Sequence, residues 1–384
     1  MEKLVPRLRF PGFEGEWERK KLGDIAKFSK GKGISKAEID SEGKLECVRY
    51  GELYTHYGET ISDVKSKTNV PAENLVLSEA NDVIIPASGE TQLDIATASC
   101  VMRSGIALGG DLNIIRTDNN GVFLSYYLNY SKKQDIANLA QGISVVHLYA
   151  SQLATLMLRL PLGDEQDKIA DFISTIDTKL THLKKKKTLL EQYKKGMMQK
   201  IFNRELRFKD YDGKEFGEWE EKTLGDIATK QSSNISANKI EENEGKYIIY
   251  GASGILKKVD FYKEENDYIS IVKDGAGVGR LFYCEGYSSV LGTMDIIKPN
   301  EGINTYFVYC LLSNIDFKQY VSGSTIPHIY FKNYSSEIVG IPSLSEQIKI
   351  ANFLSAIDKK ITLVAQQIDG MEGWKKGVLG EVLV

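Results

Sequence analysis

The chain contains the same frame twice. Glu16-Trp17-Glu18-Arg19-Lys20-Lys21-Leu22-Gly23-Asp24-Ile25-Ala26 returns 202 residues later as Glu218-Trp219-Glu220-Glu221-Lys222-Thr223-Leu224-Gly225-Asp226-Ile227-Ala228. A second echo, displaced by 181 residues, carries Leu160-Pro161, Glu165-Gln166, Ile169-Ala170, Phe172, Ile176-Asp177 and Lys194-Lys195-Gly196 onto Ile341-Pro342, Glu346-Gln347, Ile350-Ala351, Phe353, Ile357-Asp358 and Lys375-Lys376-Gly377. Two unequal displacements mean like frames around contents of different length. At 384 residues the chain is also longer than one hydrophobic core usually supports. The repeat therefore predicts two related units divided near residue 204.

The second echo reads as helix. From Asp164 onward Ile169, Ile176, Leu183, Leu190 and Met197 recur every seven residues, with Phe172 and Tyr193 each four positions ahead of a member. That is the spacing of a coiled-coil seam. Its image is Ile350, Ile357, Val364, Met371 and Val378, with Phe353 and Trp374 for the aromatics. Leu180 and Ile201 match Ile361 and Val382, so the apolar stripe is wider than a two-position seam. Each helix follows an extended, proline-containing approach, and Ser343 or Ser345 stands where a cap is needed, with Glu346 near the positive end of the dipole. A helix of about 38 residues would be roughly 55 Å long and needs a partner to bury its stripe. The economical arrangement is an antiparallel pair about an approximate twofold axis.

Between the frames the residues suggest mixed strands and short helices: Asp82 to Pro86 and Leu112 to Ile115 in the first half, Tyr247 to Gly251 and Tyr268 to Val272 in the second. A hydrophobic content of 42% with 26% charged residues is that of a globular protein. No apolar run is long enough for a membrane span and no signal peptide is evident, so the expectation is a cytoplasmic protein with no membrane partner. Cys47, Cys100, Cys284 and Cys310 form no Cys-x-x-Cys pair and do not correspond under either displacement. They are expected to be buried free thiols rather than disulfides or zinc ligands. The net charge of −3 gives no global sign of a nucleic-acid partner. Eight lysines between Lys179 and Lys200 make a local basic run, but Lys360 to Glu381 is balanced, which favours a solvated helix face over a phosphate track.

Catalytic and metal-binding patterns are missing. Gly275 to Gly279 follows a strand as Gly-x-Gly-x-Gly, without the spacing or following helix of a dinucleotide fingerprint; a tight turn and a phosphate- or base-contacting loop remain open readings. There is no Gly-x-x-x-x-Gly-Lys-[Ser/Thr] loop, no [Asp/Asn]-Pro-Pro-Tyr tetrapeptide and no His-x-x-x-His pair. His147 and His328 keep their place under the 181-residue displacement, in Gly142-Ile143-Ser144-Val145-Val146-His147-Leu148 and Gly323-Ser324-Thr325-Ile326-Pro327-His328-Ile329. No Ser, Cys or carboxylate repeats beside them, so a structural or DNA-facing role is preferred to catalysis. His56 and His182 have no counterpart.

The frame Trp-Glu-x-x-x-Leu-Gly-Asp-Ile-Ala, the Gly-Ser-Thr-Ile-Pro-His-Ile stretch and the Pro-x-x-x-Glu-Gln-x-x-Ile-Ala-x-Phe opening of a long helix together resemble the specificity subunit of type I restriction-modification systems, over the whole chain and in both copies. The resemblance implies an α+β fold, with two globular α/β target recognition domains separated by a pair of long antiparallel helices in a coiled coil. Residues 1–160 would form the first recognition domain, 161–203 the central spacer helix, 204–342 the second recognition domain and 343–384 the C-terminal spacer helix. It implies a non-catalytic subunit that reads a bipartite, asymmetric sequence in double-stranded DNA and recruits two methyltransferase subunits and restriction subunits. Cofactors are expected on those partners, as S-adenosylmethionine, ATP and Mg, and none in this chain.

On that reading the expected DNA contacts are Ser88, Gly89, Thr91, Gln92, Arg103, His147 and Tyr149 in the first domain. In the second they are Lys273, Gly275, Gly277, Arg280, Thr325, His328, Tyr330 and Lys332. The expected coiled-coil seam is Ile169, Phe172, Ile176, Leu183, Leu190 and Met197 against Ile350, Phe353, Ile357, Val364, Met371 and Val378. No catalytic residue and no metal ligand is expected. The competing readings are a pseudo-symmetric protein-binding adaptor without DNA specificity, and an enzyme that binds a nucleotide at Gly275 to Gly279.

Overall fold

The computed structural model describes residues 5–142 and 145–383. They form two compact units, residues 1–182 with 367–384 and residues 183–366. Two long helices, Gly163–Phe202 and Leu344–Val382, each contribute a part to both units. At 40 and 39 residues each is roughly 60 Å long. No helix among the described residues is long and apolar enough to cross a membrane.

The first unit is built on a five-stranded sheet in the order Ala26–Lys30, Leu112–Thr117, Val83–Pro86, Ser99–Val101 and Thr60–Ile61. A smaller four-stranded sheet holds Leu45–Val48 and Ala107–Leu108 as its inner pair. The second unit repeats the main sheet as Ala228–Ser232, Met294–Pro299, Tyr268–Val272 and Leu281–Cys284. The registers agree residue by residue: Lys30 faces Asn113 as Ser232 faces Asp295, and Ala26 faces Thr117 as Ala228 faces Pro299.

The two echoed stretches are hydrogen-bonded to each other. Glu18–Lys21 pairs antiparallel with Met157–Leu160, and Glu220–Thr223 pairs with Ile338–Ile341 in the same register. Trp17 and Trp219, beside these ribbons, are buried edge-on against Phe123 and Phe307, at centroid distances of 6.0 and 6.3 Å.

The Glu-Gln pair that opens each long helix ties the frame together. Gln166 and Gln347 are buried; each donates to the carbonyl of the proline five residues earlier, at 3.0 and 2.9 Å. Each also accepts from the backbone of an asparagine, Asn120 at 3.1 Å and Asn304 at 2.9 Å. Those asparagines cap the helices Gly121–Tyr130 and Thr305–Ser313, so in each unit one buried amide aligns two helix N-termini and one strand end without leaving its polar atoms unpaired. Ser343, not Ser345, caps the C-terminal helix, its hydroxyl 3.4 Å from the Glu346 amide.

The glutamates are held by arginines from a third repeat. Leu8-Arg9-Phe10 recurs as Leu206-Arg207-Phe208 at a displacement of 198 residues, which falls between the two longer echoes. Arg9 grips Glu165 through two bonds of 2.8 and 2.7 Å, and Arg207 grips Glu346 through bonds of 3.2 and 2.9 Å. Phe10 stacks edge-on against Phe172, and Phe208 packs on Phe353, both at 5.4 Å.

That packing moves Phe172 and Phe353 to the shoulder of the seam, where they are half-buried. The seam itself steps alternately by four and three residues: Ile169, Ile173, Ile176, Leu180, Leu183, Lys187, Leu190, Lys194, Met197 and Ile201 are all buried or half-buried. The same steps from Ile350 reach Leu354, Ile357, Ile361, Val364, Ile368, Met371, Lys375, Val378 and Val382. The second row therefore begins at Ile173 and Leu354, one residue after the aromatics, and Tyr193 and Trp374 are about half exposed.

Lys194 and Lys375 stand in this seam at equivalent positions. In the second unit Lys194 meets Asp358, and in the first Lys375 meets Asp177 at 2.5 Å. Within each unit the helix segments run antiparallel. Met198 and Ile201 share a core with Ile350 to Ile357 in the second unit, and Ile169 and Ile173 share one with Leu379 and Val382 in the first.

All four cysteines are buried free thiols. Burial pushes Cys47 up to about 11 and Cys100, Cys284 and Cys310 up to about 12.

Candidate nucleic-acid interface

Antiparallel sheets leave their strand ends as the places where loops can be exchanged without disturbing the ladder. In both units the histidine-bearing stretch docks at the end of the equivalent strand. In the first, Val146 and His147 pair with Gly89 and Ser88, just past Val83–Pro86, and the Leu148 amide donates to Ala87 at 3.0 Å. In the second, His328 bridges to Asp274, just past Tyr268–Val272, and the Ile329 amide donates to Lys273 at 2.9 Å. Each histidine also closes a two-bond backbone turn, His147 with Gln141 and His328 with Ser322. Ile143 and Ser144 lie outside the described residues.

The first cluster gathers Ser88, Gly89, His147 and Tyr149. The His147 and Tyr149 rings stack at 6.3 Å and both side chains face solvent. Ser88 is buried, its carbonyl accepting from the Tyr54 hydroxyl at 3.1 Å. Burial raises the Tyr54 phenol above its ordinary value, which keeps it a neutral donor. Thr91 accepts from the Asp94 amide at 3.1 Å and so caps the short helix that begins at Gln92; both Thr91 and Gln92 are exposed. Tyr50, Gly51, Tyr54, Ser88, Gly89 and Val145 line a cleft of about 540 Å³.

Arg103 is not part of this cluster. Val83–Pro86 and Ser99–Val101 are antiparallel, so residues just past their C-terminal ends stand at opposite ends of the sheet. The Arg103 guanidinium is held there by Glu46 at 2.8 Å and by the Ser62 carbonyl at 3.1 Å.

The second cluster gathers Lys273, Gly275, His328, Tyr330 and Lys332. His328 meets the Tyr330 ring at 4.9 Å, and the Lys332 ammonium lies 5.6 Å from that ring. Lys273 is drawn inward to the buried Asp295 at 3.3 Å, with Lys230 at 3.8 Å from the same carboxylate. Its charge is thereby partly offset by a carboxylate it shares with Lys230, a context that sequence alone does not show. Thr325 is exposed in the loop before His328.

The glycine run resolves into a hairpin turn between Tyr268–Val272 and Leu281–Cys284. Gly275 and Gly279 have φ of 91° and 82°, values that favour glycine. The amides of Gly275, Val278, Gly279 and Arg280 are all bonded to backbone carbonyls of the protein. From Gly275 to Arg280 the turn therefore leaves only the Ala276 and Gly277 amides without a bond of this kind, a pair rather than a phosphate-cradling row. Gly277 lies close against Ala252, and the Arg280 guanidinium donates to the Ala252 carbonyl at 2.8 Å.

Two domains with the same sheet register and frame, and with different side chains at matching strand ends, are built for two related recognition tasks. The type I restriction modification DNA specificity domain matches residues 14–192 and again residues 217–372. The chain belongs to that family. It is 25% identical to the type I restriction enzyme MjaVIII specificity subunit of Methanocaldococcus jannaschii, over 96% of this chain and 92% of that protein. It is 27% identical to the putative MjaX specificity subunit of the same organism, over 72% and 71% of the two chains. The solved S subunit of a type I restriction-modification system from M. genitalium has the same fold, with a TM-score of 0.72 at 19% identity and 99% coverage of both chains.

Proposed function

We propose that this chain is the DNA-specificity subunit of a type I restriction-modification complex. It has no catalytic role of its own in this reading, and each globular domain recognises one half of a bipartite target. One observation carries the proposal: the frames, ribbons, helix seam and the His147–Tyr149 and His328–Tyr330 pairs are repeated in register, whereas the strand-end residues around those pairs differ, Ala87-Ser88 against Lys273-Asp274 and Ser151 against Lys332. A homotypic adaptor would have reason to repeat the whole contact set, not the histidine and tyrosine alone. A reader of an asymmetric sequence must instead vary them on a common scaffold.

Phosphate contacts would position each domain, and side chains at the strand ends would specify the base sequence. The long helices would act as spacers, with methyltransferase subunits carrying S-adenosylmethionine and restriction subunits using ATP and Mg. The test is sequencing of methylated bases in genomic DNA from cells with and without this gene. A bipartite methylated motif should disappear on deletion. Replacing residues 229–335 with the corresponding segment of another family member should change one half of the motif only. A motif that survives deletion overturns the proposal.

A further inference from the structure

The shared register allows the two domains to be compared position by position at the turn beside each reading cluster. In the first domain the Gly109 amide donates to Val48 and the Gly110 amide to Gly33, at 2.9 and 2.7 Å. In the second the Leu291 amide donates to Tyr250 and the Gly292 amide to Ile235, at 3.0 and 2.7 Å. Val48 therefore matches Tyr250, and the next two residues, Arg49-Tyr50, match Gly251-Ala252. The first domain carries an arginine here in its own backbone. The second has small residues, and Arg280 reaches to the same place from the glycine turn, bonded to the Ala252 carbonyl. Each domain thus has one arginine at this strand end, Arg49 carried directly after the strand and Arg280 bonded to the backbone of the equivalent segment.

These two guanidinium groups also differ from most arginines of the chain, although Arg19, on the Glu18–Lys21 ribbon, likewise has no acid partner among the described residues. Arg9, Arg103, Arg116 and Arg207 are each held by a carboxylate. Among the described residues Arg49 has no side-chain hydrogen bond or ion pair, and Arg280 has the Ala252 carbonyl and no acid. The Arg49 backbone is nonetheless fixed, its amide donating to Glu52 at 2.9 Å. It lines a cleft of about 490 Å³ with Gly33, Lys36, Tyr50 and Gly110. Tyr50 lines this cleft and the neighbouring one that contains Ser88. The two carboxylates of the Arg49 cleft are engaged elsewhere, Glu38 with the Ser35 amide and Asp111 with Lys30 at 3.5 Å.

An arginine fork that has no acid partner beside a reading cluster, Arg49 in its cleft and Arg280 with most of its N–H groups uncommitted, fits the edge of a guanine. Its two parallel N–H groups match O6 and N7 in the major groove in a fixed geometry that the single ammonium of a lysine lacks. We infer that Arg49 and Arg280 each read the guanine of a G·C pair, one in each half of the target. This rests on the DNA-specificity reading and names residues for it.

The test uses the assembled methyltransferase complex with wild-type subunit, Arg49→Ala, Arg49→Lys and Arg280→Ala. Methylated motifs are sequenced, and duplexes substituted at one base pair compete for binding. Both Arg49 variants should lose roughly 10- to 100-fold of discrimination at one G·C position. The other half-site should be unchanged, and Arg280→Ala should have the complementary effect. The slope of affinity against salt should stay near wild type, since a phosphate contact would lower it by about one charge. Unchanged discrimination, a loss spread over both halves, or rescue by lysine overturns the inference. If an Arg49 variant does not methylate, the duplex competition still measures its discrimination. Absence of any bipartite motif in the wild type would instead overturn the functional reading itself.

Discussion

The Arg207–Glu346 pair allows a quantitative test of how the frame is held. The Glu346 side chain is 0% exposed and that of Arg207 19%. The carboxylate accepts two bonds from the guanidinium and a third, at 3.2 Å, from the Trp219 indole. Glu346→Ala leaves the arginine mostly buried beside a void and removes the indole's acceptor. Removing one member of a buried pair costs about 3–5 kcal/mol. Arg207 keeps the carbonyls of Phe216 and Gly217 as acceptors, which puts the pair at about 3, and the orphaned indole adds roughly 1.

The equivalent Glu165→Ala supplies an internal control. Trp17 Nε1 already has no partner, so that substitution should cost about 3 kcal/mol without the indole's share. Urea unfolding followed by tryptophan fluorescence measures both. With an m-value of roughly 3 kcal/mol/M, Glu346→Ala should lower its transition midpoint by a little over ~1 M. The double variant Arg207→Leu with Glu346→Leu removes both charges and should recover most of the loss. A cost below about 1 kcal/mol for Glu346→Ala, or a double variant no more stable than the single, would refute this account of the frame.

Three further outcomes follow from the same structure. Asp358→Ala strands the seam ammonium of Lys194, only 16% exposed, and removes the acceptor of the Tyr306 hydroxyl, and should destabilise by about 1–3 kcal/mol in thermal melts; in a Tyr306→Phe background, exchanging the pair as Lys194→Asp with Asp358→Lys should restore part of it, and no recovery there would mean the ion pair is not the cause. The four thiols should resist maleimide at pH 8 in the native protein and react on unfolding, because burial raises every one to about 11 or 12 and leaves a thiolate fraction near ~0.1% or less; fast native labelling of any of them would contradict the burial. Inserting one heptad after Lys187 and another after Ile368 keeps the seam in phase and adds about 10 Å of helix. On the proposed function this lengthens the unspecified gap by roughly 3 base pairs at 3.4 Å each with both half-sites intact, and methylome sequencing would expose a changed half-site instead.

The frames were legible because they repeat as patterns: Trp17 with Trp219, Glu165-Gln166 with Glu346-Gln347, and the row from Ile169 with the row from Ile350. The chemistry of the pattern was less legible. Leu8-Arg9-Phe10 is a short repeat offset from both longer echoes, and nothing local marks its arginines as the partners of glutamates over a hundred residues away. The second seam row was masked because Lys187, Lys194 and Lys375 occupy core-facing positions, while Phe172 and Tyr193 offered a more hydrophobic alternative one residue earlier. Of the expected contacts, Ser88, His147 and Tyr149 come together, as do Lys273, His328 and Tyr330, because backbone pairing fixes them. Arg103 goes to the other end of its sheet through strand direction, which side-chain type does not reveal.

The sequence by itself determined the duplication, the heptad helices and the division between repeated frame and varied contents. Periodicity and repetition are local or self-referential properties, readable along one dimension. Only the tertiary structure decided which charges are available to a ligand and which are already paired. Lys273 is drawn to Asp295, Arg103 to Glu46 and Lys194 to Asp358, whereas Arg49 and Arg280 are left without an acid. An ionic contact depends on distance in space and on the surrounding dielectric, and neither is set by position along the chain.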